Sequence, residues 1–161
     1  MLGFLRITLF VAILLLTVSK TFADVADKEE AIAFTNFIKQ LVSSSHTTKT
    51  GKFCLLGSDE ISQAILSQDR QAINLTTNPQ DYGECIAVYI SRSQQKGLRA
   101  EIEKFNKNKI ITIATFDGFT ESGGMIQVQM GRRDFELVVN PKELKESGVR
   151  LSALISNLII N

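Results

Sequence analysis

If this chain performs chemistry, few residues are available to do it. The sequence holds one histidine, His46, two cysteines, Cys54 and Cys85, and one glycine pair, Gly123-Gly124. A nucleophile/His/acid site needs an imidazole oriented by a carboxylate. His46 sits instead in the polar stretch "SSSHTTKT" with no acid close in sequence, the setting of a solvated loop histidine. Two cysteines separated by thirty residues and a lone histidine match no zinc-ligand spacing. Asp59, Asp81, Glu84 and Asp117 would fall near strand ends, where each also suits a turn or a cap, and no pair of them is set apart from that role. The residues therefore assign no catalytic side chain, no metal ligand and no cofactor, although a Ser/His/acid site assembled across the fold would make the chain an envelope hydrolase.

The glycine pair raises the remaining chemical question, because glycine-rich turns that open a helix cradle phosphates on their amides. In "FDGFTESGGMIQVQMGRRDFELVVNP", residues 116–141, the side chains after Gly124 alternate with period two instead of 3.6. Period two is the pattern of a strand. With Gly131-Arg132 as a two-residue turn, Val128 faces Phe135 and Ile126 faces Leu137, while Gln127 meets Glu136 and Gln129 meets Asp134. One face is then apolar and the other polar, so Gly123 and Gly124 lead into an antiparallel hairpin and Gly131 turns it.

These features need elements to carry them, and the chain begins with one that is not part of the fold. Met1 to Arg6 is a short basic lead, Ile7 to Val18 is apolar, and Ser19 to Ala23 is more polar with small residues. That is the layout of a secretory signal peptide with cleavage between Ala23 and Asp24, and the apolar stretch is shorter than the roughly 20 residues a spanning helix needs. Cleavage removes Arg6 and Lys20 from the chain's 18 basic residues, leaving 16 against 17 acidic ones. A net charge this close to zero excludes electrostatic attraction to nucleic acid. Lys104, Lys107 and Lys109 at a helix end and Arg132-Arg133 at a hairpin tip are read as solvated. Residues 24–161 have the length of a single domain, and no repeat or change of composition divides them.

Phe34, Phe37, Ile38, Leu41 and Val42 fall on one face of a helix over Glu29 to Val42. Phe53 to Gly57 reads as a strand, followed by a helix capped by Ser58 with Asp59 and Glu60 in its first turn. Ala72 to Thr76 is a weaker strand ending at Asn78-Pro79, and Cys85 to Ile90 is an apolar run suited to a strand buried on both faces. Leu98, Ile102 and Phe105 keep helical spacing, and Lys109 to Thr115 is a further strand. After the hairpin, Asn140, Pro141 and Glu143 open a short helix that stops at Gly148. Leu151, Leu154, Ile155, Leu158 and Ile159 then predict a terminal amphipathic helix with Ser152 as its cap. The expected fold class is α/β: a three-layer, open, mostly parallel sheet with a C-terminal antiparallel hairpin and helices on both faces.

The segments "KEEAIAFTNFIKQL", "FCLLGSDEISQAI", "CIAVYIS", "IITIATFDGF", "GGMIQV" and "FELVVNPKELKESGVRLSALISNLI" come in an order that resembles the YfiR-like periplasmic family from Glu29 to Ile159. That resemblance implies a small periplasmic α/β domain without catalysis, one that restrains an inner-membrane diguanylate cyclase by holding its periplasmic domain and is often a homodimer. The chain departs from the family pattern in having no Trp-Pro pair after the first helix, where Ser43 to Ser45 stand, and in having two cysteines in all, without the second pair linked to redox control in some members. A small-molecule-binding module is the alternative, using the crevice outside the parallel strands where the loops after Gly57, Ser91 and Thr115 lie.

The resemblance also places cysteines at the starts of the strands that carry Cys54 and Cys85. Each is the third residue of its segment, so the two sit near one level if those strands are neighbours, and a disulfide between them is expected in an oxidising compartment. Two separate buried thiols are the alternative, since directly opposed residues on neighbouring strands suit disulfide geometry poorly. The leader predicts the start of the exported protein: mass spectrometry should find a chain beginning at Asp24. A membrane-retained chain still beginning at Met1 would refute cleavage.

Overall fold

Helix α1, residues 28–44, buries Ala31, Phe34, Ile38, Leu41 and Val42, the face that the apolar spacing defines. The computed structural model describes residues 28–45, 47, 49–130, 134–152 and 158–159. After α1 come β1 (Lys52–Leu56), α2 (Glu60–Gln68), β2 (Ile73–Asn74), β3 (Cys85–Ile90), α3 (Arg99–Lys107), β4 (Ile111–Ala114), β5 (Ile126–Met130), β6 (Phe135–Val139) and α4 (Pro141–Ser147). One six-stranded sheet runs in the order β2-β1-β3-β4-β5-β6. All neighbours are parallel except β5 and β6. The expected mostly parallel α/β architecture with an antiparallel hairpin is therefore the one the chain adopts.

Alternation along the strands divides the core into two layers. Phe53 and Leu55 of β1, Ala87 and Tyr89 of β3, and Ile111 and Ile113 of β4 join the α1 and α2 residues on one face. On the other, Cys54, Val88, Ile90 and Ala114 meet Ile102 and Phe105 of α3 and Leu98 just before it, together with Phe116 and Phe119 from the connection after β4. Aromatic rings lock α1 to the hairpin side of the sheet. Phe34 lies edge-on to Tyr89 at 5.9 Å and to Phe135 at 5.7 Å, and Phe37 approaches Phe135 at 4.6 Å.

Helix α4 begins and ends where the sequence predicts. The Asn140 side chain accepts from the Glu143 amide, Pro141 opens the first turn, and Gly148 stops the helix at φ 71°. Helix α2 differs by one position, because Asp59 and not Ser58 is its cap, its carboxylate accepting from the Ser62 amide.

The hairpin register corrects the sequence-based one. Ile126 faces Val139, Gln127 faces Val138, Val128 faces Leu137, Gln129 faces Glu136 and Met130 faces Phe135. The expected partners are displaced by two residues. Such a shift leaves every side chain on its original face, so apolar alternation cannot detect it. Gly131, Arg132 and Arg133 lie outside the described residues.

The expected terminal helix is met only in part where it can be traced: Leu151 and Ser152 are not helical, Leu158 lies in a 3-10 turn, and Ile159 forms a parallel β-bridge with Leu137 of β6; residues 153–157 lie outside the described residues. The apolar residues that gave helical spacing belong, at Ile159, to the sheet.

Cys54 and Cys85 form a disulfide with Cα atoms 5.7 Å apart. They are not level: Cys85 lies opposite Lys52 and Cys54 opposite Val88, with a register irregularity between Lys52 and Phe53. Gly51 permits that irregularity, since a Cβ there would overlap the Glu84 carbonyl. The offset spares the pair the directly opposed placement that suits a disulfide poorly. Both cysteines are fully buried, and the bridge joins the neighbouring strands β1 and β3 at a sequence separation of 31. Closing a loop of that length stabilises the fold by about 3 to 4 kcal/mol on a chain-entropy view. Cys85→Ser should therefore lower the melting temperature by many degrees while leaving the secondary structure native in the cold. Two free thiols titrating in the denatured, unreduced exported protein would show that the bridge does not form.

Candidate functional site

The amides of Gly123 and Gly124 are both used within their own turn. Gly123 donates to the Thr120 carbonyl at 3.1 Å and Gly124 to the Phe119 carbonyl at 3.0 Å. A Cβ on Gly124 would fall inside the Phe119 ring, and Gly123 takes φ 101°, so both glycines serve close packing and chain reversal. Neither amide is left pointing at an anion, as a phosphate loop requires. The glycines lead into β5, as period-two alternation predicts.

A set of buried polar side chains holds this turn. Asn106, at the end of α3, donates to the Gly123 carbonyl at 2.9 Å and to the Glu143 carboxylate at 2.7 Å. The Thr112 hydroxyl of β4 accepts from the Met125 amide at 2.9 Å, the Gln127 side chain accepts from the Phe119 amide at 3.3 Å, and the Asn140 amide group donates to the Thr120 carbonyl at 3.0 Å. Gln127, placed by alternation on the hairpin's polar face, is buried because the 115–125 connection covers that face.

Outside the C-terminal ends of β1 and β3, where an open parallel sheet usually receives a ligand, the two loops meet directly. A Cβ on Gly57 would overlap the Ser91 hydroxyl and crowd Ser93 and Gln94. The Gly57 amide donates to the Thr76 hydroxyl and the Ser91 amide to the Leu56 carbonyl. Asp59 lies beside them with both oxygens engaged: Oδ1 accepts from the amide and hydroxyl of Ser62, and Oδ2 from the Tyr89 hydroxyl at 2.8 Å. Burial, reinforced by the Asp59 carboxylate, pushes the Tyr89 phenol far above its ordinary range.

The carboxylates singled out in the sequence are dispersed. Asp81 and Glu84 precede β3, whereas Asp59 comes after β1 and Asp117 after β4, so the parallel strands put the two sets at opposite ends of the sheet. Glu84 pairs with Lys52 at 2.7 Å on the surface. Lys104 pairs with Glu101 at 3.2 Å and stands 4.3 Å from the Tyr82 ring centre, and Lys107 pairs with Glu103. No group of acids, histidines and cysteines suited to a metal ion occurs among the described residues. His46, Ala23 and Asp24 lie outside them.

A surface feature that the sequence pattern does not announce lies on the α1–α2 side. Lys28, Ala31 and Ile32 of α1 and Glu60, Gln63, Ala64 and Ser67 of α2 line an open groove of about 340 Å³. Among the described residues, Ile32 and Leu66 are the exposed large hydrophobic ones, at 37% and 38%. The Lys39–Asp69 ion pair at 3.2 Å fastens the two helices farther along. One faint trace of it stands in the sequence. Ile32 is out of phase with the buried face of α1, an aliphatic residue on the side that carries Glu29 and Asn36.

Among the described residues, then, the buried polar groups are satisfied within the fold, with no buried side-chain nitrogen or oxygen unpartnered, and exposed Ile32 lines a helical groove. A family model described as YfiR/HmsC-like matches residues 28–158. No curated protein matches the sequence.

The Tyr89–Asp59 contact predicts a pH dependence whose sign is set by the raised phenol. Below pH of about 10 the phenol is protonated in the folded and unfolded chain alike, and its stabilising contact is intact. Above that, the unfolded chain ionises first and stability falls as pH rises. Chemical denaturation should therefore show wild-type stability falling more steeply above pH of about 10 than that of Tyr89→Phe, by up to about 1.4 kcal/mol per pH unit. Equal slopes would mean that the phenol is not held in its neutral form.

Proposed function

The chain belongs to the YfiR/HmsC-like family, and from that premise we propose that it is an exported, non-enzymatic regulatory protein that restrains an inner-membrane signalling protein, such as a diguanylate cyclase, by binding its periplasmic domain. The family match over residues 28–158 is the observation that carries this reading. The placement of the polar groups supports it. A protein whose buried donors and acceptors serve its own loops, and whose crevice at the strand ends is filled by Ser91, Ser93 and Gln94 against Gly57, has its open ground elsewhere. The α1–α2 groove with Ile32 at its rim is that ground, and it is where the partner is placed in this reading.

Export through cleavage after Ala23 puts the domain in the compartment where such a partner presents its sensing portion. No helix among the described residues is long and apolar enough to cross a membrane. A homodimer, common in the family, would present two such grooves.

The reading is tested in the native cell. Deleting the gene should raise cyclic-di-GMP, and the wild-type gene should restore it. Ile32→Glu leaves the core side of α1 intact and puts a charge in the groove, so it should fold normally and fail to restore. His46→Ala should restore fully, since no catalysis is assigned to it. Unchanged cyclic-di-GMP on deletion, with no membrane partner captured by crosslinking, would overturn the regulatory reading. Failure of a folded His46→Ala protein would return the question to catalysis.

A further inference from the structure

We draw no further inference here: the strongest candidate, the open groove between α1 and α2 lined by Ala31, Ile32 and Ala64, belongs to the surface already given to the partner in the regulatory reading, and nothing in the structure shows what covers it.

Discussion

A buried stretch of irregular backbone must find hydrogen-bond partners, and much of this fold is arranged around one such stretch. The connection from β4 to the parallel β5 crosses a covered face of the sheet over residues 115–125 without a helix. A parallel crossover usually supplies a helix that satisfies its own amides. Here side chains stand in for it: Asn106 from α3, Thr112 from β4, Gln127 from β5 and Asn140 from the cap of α4 each bond to the backbone of the connection. Phe116 and Phe119 then fill the volume a helix would have filled, with their rings edge to face at 5.3 Å. The position of α4 is set in turn, because Glu143 and Ser147 reach the same Asn106. So is the glycine pair, which leaves room for the Phe119 ring.

This dependence explains which parts of the fold were legible in the sequence. β3 was readable to the residue, because a strand buried on both faces has to be a continuous apolar run. The caps of α4 were equally legible, since Asn140, Pro141, Glu143 and Gly148 act within one turn and need no tertiary context. The hairpin was recognised but misregistered by two, as period two cannot distinguish even shifts. Asp59 displaced Ser58 as the cap of α2 because Tyr89, thirty residues away, holds the other carboxylate oxygen. That is a tertiary contact, and no local pattern contains it.

The candidate surface was less legible than the core for a related reason. A core residue obeys a period, whereas a surface apolar residue is recognised only by breaking one. Ile32 breaks the phase of α1, but a single aliphatic residue out of phase is common on soluble proteins and carries no signal alone. It gains meaning from Ala31 beside it and from Gln63, Ala64 and Ser67 across the groove, and that neighbourhood exists only once α2 lies against α1. The terminal segment divides between two patterns: its apolar spacing suits a helix and Leu158 keeps a helical turn, while Ile159 bridges to Leu137 of β6.

The division between a satisfied interior and an incompletely covered periphery bears on how the protein can act. The Cys54–Cys85 bridge ties β1 to its neighbour β3. The Asn106 set fixes α3, α4 and the 115–125 connection to one another. A body built this way resists internal rearrangement, since moving any one of these elements leaves a buried donor or acceptor without its partner at a cost of about 1 to 3 kcal/mol each. The α1–α2 groove, with its exposed Ile32, lies outside that body, on the side of the sheet covered by α1. Phe34 and Phe37 of α1 pack on Phe135 of β6, so the helix that lines the groove is also held to the hairpin by ring contacts.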